Sequence, residues 1–281
     1  MTTRTADTRP RGAAGTDTSE PAGTDAARSA TVPPGAATAP APGLLRRLVP
    51  VELRKLVDTP SGVVLLLVGA LLAGAFGGGQ ALFREDLGIG GVARMAGVPG
   101  AMLAPVLAVL LVTAERSQRT ALTTFALMPR RSAVLMAKGL AVVTLGIAVT
   151  VLALLAALLI APVGSLIVDQ PVVWSIDWAS LGWFTLATVV ATLSGYAIGL
   201  LVGNGPAAIV IVLVWPFLAT TMSIVPEIAR VLEWIDVGAV LALEDGDPSA
   251  TVVAQAITGV AAWVLLPGVL GWLRTVRSEV R

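Results

Sequence analysis

The chain has 281 residues, 56% of them apolar and 13% charged, a formal net charge of +1 and a mean hydropathy of +0.85. A soluble domain carries about 25% charged residues, so this composition points to an integral membrane protein. With no cysteine and no histidine, it excludes disulfides, thiolate nucleophiles, histidine-based triads and nearly every transition-metal site.

Residues 1–43 are rich in Thr, Ala, Pro, Gly and Asp and contain no apolar run. That is the composition of a disordered tail, and it has no apolar core or small-residue cleavage site of a secretory signal. Residues 44–58, LLRRLVPVELRKLVD, place Arg46, Arg47, Arg54 and Lys55 among Leu45, Leu48, Leu53, Leu56 and Val57 at helical spacing. Pro50 suits the first position of the helical part. The segment reads either as an amphipathic helix in the membrane interface or as a basic flank that orients the first span. Both readings predict the same topology, and residues 44–281 read as one membrane domain.

Uncharged windows locate the spans. Residues 59–83, 95–114, 139–168 and 248–273 are each free of charge, as is the 49-residue window 178–226. That last window is too long for one span, and Gly203-Asn204-Gly205-Pro206 divides it into 178–202 and 207–226. The expectation is an all-α protein with six transmembrane helices. Twelve Lys and Arg residues fall in segments 46–55, 116–138 and 274–281, against three in 84–94, 169–177 and 227–247. Retention of basic residues inside then predicts both termini in the cytoplasm. The loop between spans five and six aligns Ile228, Val231, Leu232 and Ile235 on one helical face beside Trp234. This predicts a short helix, either dipping into the outer leaflet or covering the bundle surface.

No span interior carries a confident charge, which weighs against a proton- or sodium-coupled carrier and against an intramembrane metalloprotease. No Gly-x-x-x-x-Gly-Lys-Ser/Thr loop is present, so the chain has no phosphate loop of its own. It reads as a non-enzyme with no cofactor, nucleic-acid partner or metal site. Gly195, Gly199 and Gly203 repeat at four-residue spacing, as do Gly74 and Gly78. Such ridges let helices approach closely in lipid, within the bundle or between protomers. Asn204, Trp215, Pro216, Thr220 and Thr221 read either as pathway-lining residues or as a kink with a packing aromatic.

The segment Thr113–Lys138, TAERSQRTALTTFALMPRRSAVLMAK, is the most charged internal stretch. Glu115 and Arg119 are spaced i, i+4 with the acid first, Thr113 is a plausible N-cap, and Leu122 and Phe125 share a face. Pro129 ends the pattern. This predicts a short amphipathic helix from Glu115 to Leu127, then a basic stop that opens span three. Glu115, Arg116, Thr120, Pro129, Arg130, Arg131 and Lys138 together resemble the permease subunits of type-2 ABC exporters, with Arg119 standing where that family has a Gly. Arg130, Arg131 and Lys138 also fit a plain cytoplasmic anchor. The resemblance implies that Glu115, Arg116, Arg119, Thr120, Leu122 and Phe125 form a coupling helix that docks on a separate ATP-binding subunit. It further implies an elbow helix before span one, a second permease copy as partner and a bacterial plasma-membrane location. Substrate and homo- or heterodimer are left open. A non-transporting accessory or anchoring subunit explains the hydropathy equally well.

Overall fold

The computed structural model describes residues 42–83, 88–117, 131–245 and 248–277. The tail 1–41 lies outside them, as do 118–130, so Arg119, Thr120, Leu122, Phe125 and Arg130 of the predicted coupling helix and anchor are not among the described residues.

The chain is all-α: α1 (Pro42–Asp58), α2 (Pro60–Phe83), α3 (Ile89–Ser117), α4 (Arg131–Val168), α5 (Trp178–Val202), α6 (Gly205–Met222), α7 (Pro226–Ile235), a 3₁₀ helix (Val237–Asp245), α8 (Ala250–Val260), a π-helical turn (Ala261–Leu265) and α9 (Leu266–Arg277). Six helical segments are long and apolar enough to cross a membrane: α2 to α6, and α8 with the π turn and α9 as one continuous span. It is a polytopic membrane protein, and many of its large apolar side chains are exposed, as contact with lipid allows.

Several starts and stops differ from the sequence reading. α1 begins at Pro42, so Pro50 lies inside it instead of opening it. One proline removes a single backbone bond, and the flanking turns carry the helix past it. α3 runs unbroken to Ser117, so Thr113 caps nothing. Its buried hydroxyl donates to Val109 O at 2.8 Å. Breaking a helix in apolar surroundings would strand unpaired amides, which favours running on. Glu115 and Arg116 therefore sit on the last turn of α3, in line with the span.

The Gly-Asn-Gly-Pro turn is built as its residues dictate. Gly203 ends α5 in the left-handed conformation, φ 68°, which costs glycine no steric penalty. Asn204 then caps α6, its side chain accepting from Ala207 N at 3.2 Å. At the opposite membrane face Asp177 caps α5 by accepting from Ala179 N and Ser180 N at 3.0 and 3.2 Å.

α3 and α5 form the centre of the bundle: 61% and 50% of their apolar windows are buried, against 11% for both α2 and α6. α3 packs on α2, α4 and α5, and α5 also meets α9 and the 3₁₀ helix. Gly195 and Gly199 make the α3–α5 approach possible. A Cβ on Gly195 would overlap the Pro105 carbonyl, and one on Gly199 would meet Val112. These two glycines act within the bundle, whereas Gly203 belongs to the turn. Gly74 and Gly78 have nothing within 4 Å of a built Cβ.

Candidate functional site

At the α1 end of the bundle, three elements meet on one lysine. α1 is amphipathic, and its inward face carries Leu56 into the core that contains Leu111, Leu135, Tyr196 and Leu200. The same face carries Glu52. Its carboxylate accepts from Lys138 Nζ at 2.7 Å and from Lys55 Nζ at 2.7 Å. Lys138 also donates to Leu111 O at 3.0 Å. The Lys138 and Glu52 side chains are 3% and 6% exposed.

Lys138 thereby joins α1, α3 and α4. α4 begins at Arg131, so Lys138 lies about two turns inside the helix, with its side chain buried in the bundle. Its burial is possible because the opposite charge comes from a different element. An unpaired ammonium at this depth would carry an uncompensated desolvation cost. Tyr196 of α5 extends the polar cluster, its hydroxyl donating to Leu135 O at 2.7 Å. Nearby, Arg274 of α9 donates to Leu201 O at 2.7 Å, satisfying a carbonyl in the last turn of α5.

Sequence reasoning passed over Glu52, because an acid inside a basic amphipathic segment reads as a solvated charge. Its i, i+3 spacing to Lys55 was visible; its pairing across 86 residues was not. Arg94 was likewise assigned to a loop. It lies inside α3 and donates to the Ser180 hydroxyl at the start of α5. Arg131 opens α4, two turns before Lys138.

The opposite end is closed by α7 and the 3₁₀ helix. α7 buries Leu232 and docks on the sixth span, where Thr258 Oγ of α8 donates to Trp234 O and Trp263 Nε1 of the π turn to Ile235 O, both at 2.6 Å. Its last carbonyls are thus capped by the sixth span, which makes it a cover on the bundle. Trp263 sits in the π turn that precedes Pro267, a residue with no N–H to return to the ladder. Its ring lies 4.7 Å from that of Trp215 on α6, tilted by 44°.

No protein-family model matches the chain, and no curated protein or solved structure matches it.

Proposed function

We propose that this chain is the permease subunit of an ATP-driven exporter of the type-2 ABC class, seated in a bacterial plasma membrane with both termini cytoplasmic. The observation that carries this reading is the Lys138 node. It clamps the amphipathic α1 to α3 and α4, the two helices that flank segment 118–130, whose closing Pro129-Arg130 continues into Arg131 of α4. A push on that segment by a docked partner would reach α1, α3 and α4 together. The partner would be a separate ATP-binding subunit, since the chain has no phosphate loop. A second permease copy would complete the complex. The chain itself performs no covalent step in this reading.

The test is affinity purification of the tagged protein from mild detergent. A near-stoichiometric P-loop ATPase should co-purify and be lost when residues 115–127 are scrambled. A stable protein that brings no ATPase would favour the accessory-subunit reading. Orientation has its own check, which the absence of native cysteine makes clean. A cysteine at Glu233 should react with an impermeant thiol reagent from outside the cell and one at Ser117 should not; the reverse pattern would overturn the topology.

A further inference from the structure

The chain holds seven Trp, five Phe and one Tyr, and four of these rings converge on one cavity of about 450 Å³. Phe184 comes from α5, Trp215 and Phe217 from α6, and Trp263 from the π turn, with α3 and the 3₁₀ helix closing the remaining walls. The volume lies within the range of about 300–1,000 Å³ typical of small-molecule sites.

Two properties of the lining define what it would accept. Among the described residues no charged side chain lines the cavity, so an ionised ligand would lose its hydration there with no countercharge from them in return. The polar groups are few and placed. Ser194 and Thr220 line it, and both hydroxyls spend their hydrogen on backbone carbonyls, Ala191 O at 2.7 Å and Pro216 O at 2.8 Å. Their oxygens keep lone pairs, so each offers an acceptor.

The Trp pair adds a further indication. Trp263 spends its N–H on Ile235 O, while the buried Trp215 N–H has no partner among the described residues. A buried indole ordinarily finds an acceptor. Trp215 packs its ring against that of Trp263 at a tilt along the cavity wall.

We infer that this cavity binds a neutral, planar aromatic molecule carrying a hydrogen-bond donor. The aromatic walls stack on its rings, and the Ser194 and Thr220 oxygens receive the donor. A two-chain phospholipid does not suit the site: it is far larger than the cavity, and its phosphate finds no cation there. That the ligand is the transported cargo rests on the exporter reading; that it binds does not.

The test uses the full chain in phosphatidylcholine nanodiscs with carbazole as probe, bound ligand being read by equilibrium dialysis against empty nanodiscs. Carbazole should bind saturably and be displaced by fluorene, a ring system of the same shape without the N–H, more weakly than by unlabelled carbazole. The cation N-methylacridinium should not displace it. Phe217→Leu, at a largely exposed position, should weaken binding about two- to tenfold through loss of one stacking partner. Ala101→Phe, which fills the cavity from α3, should abolish binding. Loaded nanodiscs that take up no more carbazole than empty ones would overturn the proposal. So would effective displacement by N-methylacridinium, or unchanged binding in Phe217→Leu. The wild-type comparisons stand even if a variant fails to fold. Because no ATPase is involved, a failed co-purification would remove only the cargo role.

Discussion

The two ends of the bundle handle buried polarity in opposite ways. At the α1 end a full positive charge is buried, and it is met by Glu52 and by the Leu111 carbonyl. At the α7 end Arg94 is only half-buried and donates to the Ser180 hydroxyl, and a neutral indole N–H has no partner among the described residues, beside an open cavity. Burying an unpaired charge costs far more than burying an unpaired N–H. A membrane protein can therefore leave the second unsatisfied where a ring face is needed, but not the first. Polar pairing locks the α1 end, while the α7 end is assembled from aromatic contacts that leave volume between them.

The largest effect should come from breaking that lock. Lys138→Met removes the buried partner of Glu52, leaving the half-exposed Lys55, and a buried pair broken on one side costs about 3–5 kcal/mol. The melting temperature in mild detergent should fall sharply, and adding Glu52→Gln should restore most of it. A double variant no more stable than the single would show that the cost is packing, not charge.

Next in size is the helix approach at the centre. Gly195→Val forces a side chain into the Pro105 backbone of α3 and should cost about 1–3 kcal/mol or more. Gly78→Ala on α2, where a Cβ meets open space, should cost nothing and gain up to about 1 kcal/mol from helix propensity. Equal destabilisation by the two would refute the assignment of the close contact to α5. The smallest change is Tyr196→Phe, which removes one hydrogen bond, to Leu135 O. A loss of about 0.5–1.5 kcal/mol is expected, read from the same melting curves, with carbazole binding unchanged because Tyr196 lies outside the cavity.

Helix positions were legible wherever one physical rule governs. Charge-free windows gave α2 as 60–83 and α5 as 178–202 within a residue or two, because lipid tolerates neither charges nor unpaired amides. The Gly-Asn-Gly-Pro break was readable for the same reason: a left-handed residue followed by a cap has few sequence solutions. Ends were less legible where a helix continues beyond the uncharged stretch. α4 reaches back to Arg131 because Lys138 finds Glu52, and α3 runs on past Thr113. The Trp215–Pro216 pair was noticed on its own span, but its partners Phe184 and Trp263 belong to other helices.

The sequence by itself determined the class of protein, the six spans and the turn within the longest window, because hydropathy and turn chemistry act locally along the chain. Tertiary structure decided the rest. It paired Glu52 with Lys138 across 86 residues, turned Gly195 and Gly199 toward α3 while leaving Gly74 and Gly78 open, and gathered four aromatic rings from three segments around one cavity. Each depends on which helix faces lie opposite one another. In a nearly uniform apolar sequence, close packing sets that choice, and packing is a property of pairs of helices, not of either one alone.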